Sequence, residues 1–411
     1  MRDRPEPGVV AWAVAQLGWP PDATEVERLT GGYSWQSYRL VWKRQMVVLR
    51  VAPNGGPMDP YDASAEAARL AAVPKSVPTP KVLAVDVDGV GGRPCVLLQH
   101  IGGTTIQGDS ALSTPDQDRC RLAFAQTLAA IHRDGSTADL SDAATITNAY
   151  ARAIEQAVDQ YRRASTVRNP GFEVGLRWML TFVPRTDLPP VLCHGDYRLS
   201  NLVWRAPGML SGVLDWERSW VGDPMTDVAF TRMSGGWCAI EGAGQVAYET
   251  AMGEVIDERR LAFALRFERW RRNTLGMRAL RAHAEGRTDD PRLERMGRVG
   301  VAGAWDLVDL LADGPLVPLP DVHWPSEPAD VSDLDPDDVW RVLDDLALHA
   351  DTITGLRHAL SAPDPVDAFA DAHGVLTAAA ASGGAELIEP LRALGRCARV
   401  RLNQMRERQW R

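Results

Sequence analysis

Lysine is nearly missing from this 411-residue chain: it stands only at Lys43, Lys75 and Lys81, while arginine is abundant. That bias points to a GC-rich coding sequence, so an Arg at a position where Lys is common carries little weight by itself. Positive charge is also short overall, with 45 Lys and Arg against 54 Asp and Glu and a formal net charge of -9. A general nucleic-acid binder needs a positive surface to displace counterions, so that class is set aside, although a local pocket can differ in sign from the whole. The five cysteines, Cys95, Cys120, Cys193, Cys238 and Cys397, contain no CxxC or similar close pair. That argues against a zinc site or disulfide framework and for a reducing compartment. No apolar run approaches the roughly 20 residues that span a bilayer. Met1-Arg2-Asp3-Arg4-Pro5 leads into no signal-type stretch. The expectation is a cytoplasmic, soluble protein without a membrane or nucleic-acid partner. No internal repeat is present.

What is present is an ordinary globular composition, 45% apolar, in a chain long enough for two or three domains. A short helix is expected around Val9 to Leu17, then two or three antiparallel strands over Val26 to Val51, with a turn signal at Gly31-Gly32. Ala63 to Val73 has helix-favouring composition and ends at Pro74. Strand-like runs follow at Lys81 to Val87 and Cys95 to Gln99, separated by a turn-rich stretch from Asp86 to Pro94. The paired glycines Gly102-Gly103 read as a hinge. Helical periodicity dominates from about Pro115, beginning with Asp116 to Arg133. The exception is Val191 to Trp220, where the short runs Val191 to Cys193, Leu202 to Trp204 and Gly212 to Leu214 flank polar loops. A Pro- and Asp-rich linker precedes a last helical segment that opens at Asp335-Pro336.

The chemistry concentrates in His194-Gly195-Asp196-Tyr197-Arg198-Leu199-Ser200-Asn201 and, on the next strand-like run, Leu214-Asp215-Trp216-Glu217. Phosphoryl transfer from a nucleotide needs a carboxylate beside the attacking hydroxyl and oxygen ligands for the magnesium ions that bridge the phosphates. An Asp and an Asn on one loop, with a second Asp on the next strand, supply those groups. HGD alone is compatible with a surface turn; two spaced motifs between strands are much harder to obtain by accident.

These residues resemble the aminoglycoside phosphotransferase and choline kinase superfamily, whose loop reads HGDxxxxN and whose metal motif reads DxE or DxD. The resemblance implies that Asp196 accepts or orients the substrate hydroxyl and that Asn201 and Asp215 hold magnesium. Glu217 would support the metal or substrate, and His194 would brace the loop. Gly222-Asp223-Pro224 with Asp227 extends the match to a GDPxxD segment. There Asp223 is expected to cap a helix and Asp227 to anchor the loop. Upstream, Gly31, Gly32 and Ser34 sit where a kinase places its phosphate-covering loop, a place where a plain hairpin turn would look the same. Arg50, ending Val47-Val48-Leu49-Arg50, would be the cation on the phosphates, held by Glu66 of the following helix. The superfamily usually has Lys there; VLR resembles the branch of kinase-like domains attached to some acyl-CoA dehydrogenases. Arg remains charged and can bind phosphate bidentately. The backbone of Gln99 and Ile101 is placed at the inter-lobe connector against the nucleotide base.

The implied fold is α+β and bilobal, protein-kinase-like: a small β-rich N-terminal lobe over 1–103, a mostly helical lobe over 104–313, a linker over 314–335 and a helical extension over 336–411. The implied activity is a magnesium-dependent small-molecule kinase that moves the γ-phosphate of ATP or GTP to a substrate hydroxyl, with Asp196 as catalytic base. The acceptor would be a hydroxyacyl-CoA or other small alcohol. The alternatives are an antibiotic O-phosphotransferase and a catalytically silent nucleotide-binding scaffold. Arg266, Arg269, Arg271, Arg272, Arg278 and Arg281 around Trp270 fit either a solvated helical face or an anionic-substrate site. The acidic linker residues Asp321, Glu327, Asp330 and Asp333 would instead suit a cationic aminoglycoside.

Overall fold

The computed structural model describes residues 4–297 other than 30, 31, 33, 107–111, 165–171, 173, 174, 177, 178, 181 and 235. Helix α1 (Pro7–Leu17) starts on a proline and stops at Gly18, whose left-handed backbone (φ 64°) lets Trp19 N–H close on the Val14 carbonyl at 2.9 Å. Five strands follow around helix α2 (Ala63–Ala72): β1 (Glu25–Arg28), β2 (Gln36–Trp42), β3 (Gln45–Val51), β4 (Val82–Val90) and β5 (Arg93–Gln99). They form one antiparallel sheet in the order β1-β2-β3-β5-β4. The side-chain period of two divides β3 cleanly. Val47, Leu49 and Val51 pack with Val9, Ala13 and Val14 of α1. Arg50 lies on the opposite face with Val48, opposite Val96 of β5, where the larger core begins.

The sequence places a turn-rich spacer between β4 and β5, whereas the structure continues both strands into a hairpin that turns at Gly91 and Gly92, both left-handed (φ 67° and 74°). Gly89 also has positive φ and donates its N–H to Asp86 Oδ1 at 3.0 Å, which shifts the register and breaks the alternation that identifies a strand. Gly103 is required by a close approach rather than by freedom to bend. A Cβ there would lie 2.6 Å from the Trp204 carbonyl oxygen, because β6 (Thr104–Thr105) pairs with β8 (Leu202–Ala206).

Beyond the sheet the chain is mainly helical: α3 (Thr114–Asp134), α4 (Ile146–Ala164), α5 (Met225–Ser234), α6 (Ala243–Met252) and α7 (Glu258–Ala284). Ser113 caps α3 by accepting the Asp116 N–H, and Pro115 occupies its first turn. Between α4 and α5, β7 (Val191–Cys193) pairs with β10 (Trp220–Gly222), while β8 pairs with β9 (Met209–Val213). Strand β10 is absent from the sequence-based expectation, being three residues long and pattern-free. The architecture is α+β, with the β-sheet in the N-terminal part and helices in the C-terminal part, as expected.

The chain divides into two compact units. One lies within Met1–Arg152, Pro184–Glu268 and Arg287–Asp289; the other draws on Ala153–Val183, Arg269–Gly286 and residues from Asp290 onward. The His194–Asn201 and Leu214–Glu217 motifs and the whole five-stranded sheet fall in the first unit. The expected linker over 314–335 and extension over 336–411 lie outside the described residues. Among the described residues no helix is long and apolar enough to cross a membrane.

Candidate active site

The loop after β7 is built by hydrogen bonds to its backbone. Asp227, on the first turn of α5, accepts the His194 N–H (2.6 Å) with Oδ2 and the Gly195 N–H (2.7 Å) with Oδ1. Gly195 is left-handed (φ 77°), and a Cβ on it would stand 2.3 Å from the Arg218 carbonyl oxygen, so this position admits only glycine without rearrangement. His194 is fully buried; its Nδ1 lies 3.1 Å from the Asp196 N–H and its Nε2 lies 2.9 Å from the Leu214 carbonyl oxygen. An N–H can only donate and a carbonyl can only accept, so the ring is neutral with its proton on Nε2. Burial pushes its pKa down in the same sense. The ring therefore braces the loop and ties it to the strand that carries Asp215.

Asp196 is buried, and each of its carboxylate oxygens is engaged. Oδ2 accepts from Asn201 Nδ2 at 3.0 Å and lies 3.3 Å from Arg198 Nη2; Oδ1 lies 3.5 Å from Arg218 Nη1. A single 3-10 turn over Leu199–Asn201 folds Asn201 back so that its Nδ2 also donates to the Asp196 carbonyl at 2.9 Å. The amide thus spends its hydrogens on Asp196, which leaves only its carbonyl oxygen for a cation.

Asp215 follows β9 in a left-handed conformation (φ 67°, ψ 59°), uncommon for a residue with a side chain and concentrated at functional positions. Leu214 N–H donates to the Asn201 carbonyl at 2.8 Å, which fastens this turn to the Asp196 loop. Arg50 reaches the same place from β3. Its Nη1 bonds Glu66 Oε1 on α2, and its Nη2 donates to Glu217 Oε2 at 2.8 Å and Asp215 Oδ1 at 3.3 Å. Helix α2 is held by Asp62, whose carboxylate accepts the Ser64 and Ala65 N–H groups at 2.9 and 3.0 Å. The guanidinium also stands over the Trp35 ring, 5.5 Å from its centroid.

One guanidinium therefore serves three carboxylates, Glu66, Asp215 and Glu217, in a largely dry site. Burial alone would lower the Arg50 pKa, but the three carboxylates together hold it above its ordinary value. The shortage of positive charge falls on Glu217, which burial and then Asp215 push up to about 8. Glu66 Oε2 is buried without a hydrogen-bond partner. Carboxylate oxygens crowded round one guanidinium are the donor type that suits a hard divalent cation such as magnesium. A pH dependence follows. Between the ordinary value of 4.5 and about 8 the folded chain binds a proton at Glu217 that the unfolded chain has released. Metal-free stability should therefore fall as pH rises through that window. Melting temperatures in EDTA from pH 5 to 8.5 should show this slope, and Glu217→Gln should flatten it; an equal slope in the variant removes the assignment.

The structure joins Arg50, Glu66, Asp215 and Glu217 in one network and Asp196 with Asn201 in a second, the two tied by the backbone bond from Leu214 N–H to the Asn201 carbonyl. Ser34 also reaches the group, 3.4 Å from the Tyr61 hydroxyl and hydrogen-bonded to Glu217. Gly31 lies outside the described residues, and Gly32 packs loosely, a Cβ there meeting only the Trp35 carbonyl at 3.8 Å. Gln99 closes β5, and its N–H is already given to the Lys81 carbonyl at 2.8 Å, so that donor is not free for a base. Ile101 packs its side chain against Gly212. Asp223 accepts the Met225 N–H at 2.9 Å at the start of α5. The arginine run on α7 is no freely solvated face: only Arg269 is exposed, and Trp270 is buried against Phe172.

Several contributors were given no role in the sequence. Arg198 and Arg218 sit inside or next to the motifs, and their proximity to Asp196 and Glu217 was the available signal. His132 gave none: it lies on α3, with Nε2 3.0 Å from Asp227 Oδ2 and Nδ1 2.8 Å from the Tyr248 hydroxyl. His132, Asp227 and Cys193 also lie close enough to share a metal ion, but both imidazole nitrogens already have hydrogen-bond partners.

The chain is similar to known proteins over part of its length. Acyl-CoA dehydrogenase family member 10 of Mus musculus is 29% identical over 214 residues, 50% of this chain and 20% of that protein. Acyl-CoA dehydrogenase family member 11 of Gallus gallus is 27% identical over 221 residues, 51% of this chain and 28% of that protein. The chain thus aligns with less than a third of either relative's length. Among solved structures, a thermostable variant of aminoglycoside phosphotransferase APH(4)-Ia in ternary complex with AMP-PNP and hygromycin B superposes with TM-score 0.52 at 14% identity, covering 75% of this chain and 100% of that one. The apo form of the same phosphotransferase gives 0.51 at 15% identity, over 74% and 100%. That likeness establishes the kinase-like fold. The profile of the phosphotransferase enzyme family matches residues 25–264, a span that contains the sheet, the Arg50 network and both motifs. More than half of the sequence is covered in this way, and the chain belongs to the phosphotransferase enzyme family.

Proposed function

We propose that this phosphotransferase is a small-molecule kinase that moves the γ-phosphate of ATP or GTP to a substrate hydroxyl, with Asp196 as the catalytic carboxylate and magnesium held by Asn201, Asp215 and Glu217. The supporting observation is that Arg50 and Glu66 meet the Asp215–Glu217 turn in one ion-pair network, and that the Asp196–Asn201 loop is fastened to that turn through the Leu214 N–H and the Asn201 carbonyl. A silent scaffold has no need to hold all three in register. Magnesium held by these residues would offset the negative charge of the nucleotide phosphates.

The chain's own residues supply the rest. Asp196 takes the hydroxyl proton or orients the oxygen for in-line attack, its carboxylate fixed by Asn201 on one oxygen and flanked by Arg218 on the other. Arg50 offers a phosphate a planar pair of donors. Ser34 lies on the segment expected to cover the phosphates. For the acceptor, the reading takes hydroxyacyl thioesters and other small alcohols first, with the kinship to acyl-CoA dehydrogenase family members as support, and aminoglycosides as the second class, with the fold shared with APH(4)-Ia as support. Incubation with Mg-ATP or Mg-GTP and a panel of hydroxyacyl thioesters, simple alcohols and aminoglycosides, read as nucleoside diphosphate release, tests the assignment. Acceptor-dependent release with the first class and none with the second is the expected result. Absence of release with acceptors of every class, while nucleotide still binds, would favour the scaffold.

A further inference from the structure

Arg50 occupies the oxygens that the proposed metal needs. Its Nη2 takes Glu217 Oε2 and Asp215 Oδ1 together, while Nη1 stays on Glu66. We propose that Arg50 gates the metal site: in the nucleotide-free chain the guanidinium holds Asp215 and Glu217, so a divalent cation binds weakly until nucleotide phosphates draw the guanidinium away. This rests on the kinase reading above and adds to it a coupling between two ligands.

The residue type decides the matter. A guanidinium is a fork with separate donors at each tip, so one tip can remain on Glu66 while the other bridges two further carboxylates. Lysine has a single nitrogen on a flexible stem and holds one point in space. The Arg at position 50 thus turns the usual helix-to-strand ion pair into a plug that reaches the metal ligands.

Electrostatics gives the plug its selectivity. A metal ion alone could replace Arg50 at Asp215 and Glu217, but it would leave a buried guanidinium paired only with Glu66 and facing a new positive charge. A phosphate chain removes both penalties by giving the guanidinium an anionic, bidentate partner. Arg50 Nε is buried and has no hydrogen-bond partner, so the resting arrangement leaves one donor unused for an arriving phosphate oxygen. Trp35, under the guanidinium, offers an apolar plane on which it can shift without losing its support. Metal and nucleotide then assist each other, and by linkage the assistance is reciprocal.

The test uses Mn2+ as probe and the full chain, with bound and free ion counted by electron paramagnetic resonance. In the absence of nucleotide, Arg50→Met should bind Mn2+ about tenfold more tightly than wild type, a coupling of the size common between linked sites. Arg50→Lys should fall between them and serves if the Met variant does not fold, which circular dichroism reports. AMP-PNP affinity in EDTA should move the other way, weakening in both variants. Mn2+ binding that is abolished by Asp215→Ala but unchanged by either Arg50 substitution would overturn the gate and leave the kinase reading standing. Wild type and variants that bind no Mn2+ even with AMP-PNP would overturn both.

Discussion

Asp196→Ala should lower the rate of phosphoryl transfer by a factor of about 100 to 10,000, the usual contribution of a positioned acid–base group, while AMP-PNP affinity changes little. The separation of these effects follows from the architecture. Asp196 touches Asn201, Arg198 and Arg218, and the Arg50 donors proposed for phosphate lie on a different segment. Truncation removes the acceptor of the Asn201 side-chain bond at 3.0 Å, so some loss of metal affinity should accompany the rate effect. Asp196→Asn keeps the shape and one acceptor oxygen but not the charge. If both variants lose rate alike, the carboxylate's charge and basicity matter; if Asn restores most of it, orientation alone does. Single-turnover rates with saturating nucleotide, paired with melting temperatures, read the effect. A rate within about tenfold of wild type in a folded Asp196→Ala protein, well short of the usual acid–base contribution, would remove the residue from its role.

The site was legible where chemistry demands fixed residue types at short separation. His194 to Asn201 and Asp215 to Glu217 each lie on one local turn, so their spacing in sequence is nearly their arrangement in space. Arg50 was legible by another route: alternation along Val47-Val48-Leu49-Arg50-Val51 puts it on the face away from α1, and Glu66 follows on the next helix. What could not be read is whatever depends on distant pairing. The use of the Gln99 N–H by Lys81 follows from how the sheet assembles, not from the residues around Gln99. Strand β10 exists because β7 is beside it. Left-handed Gly89 breaks the period in β4, and a broken period reads as a loop. His132 and Tyr248 stand 95 and 116 residues from the partners they meet, Asp227 and His132 respectively, and no local pattern marks them.

That hidden cluster carries the largest expected effect on stability. Asp227 is completely buried and accepts two backbone N–H groups of the Asp196 loop together with the His132 ring. Burial alone would raise its pKa, but the hydrogen bond with the His132 ring and those from the His194 and Gly195 N–H groups hold it below the usual carboxylate range. Asp227→Ala should cost about 3–5 kcal/mol, because donors on three residues lose their acceptor in a dry interior, at roughly 1–3 kcal/mol each. Asp227→Asn should be intermediate, since an amide nitrogen placed against an N–H cannot accept from it. The pH dependence has a fixed sign. A depressed folded pKa supplies stability that is present above the unfolded value and lost as pH falls through the folded one. Wild type should therefore lose stability in acid more steeply than Asp227→Asn. Urea unfolding at neutral and acidic pH measures both quantities. The His194 and Gly195 N–H groups hold the loop that carries Asp196, so activity should fail in Asp227→Ala at temperatures where the chain is still folded. A variant that melts early but keeps full turnover below its transition would show that Asp227 stabilises the fold without setting the loop.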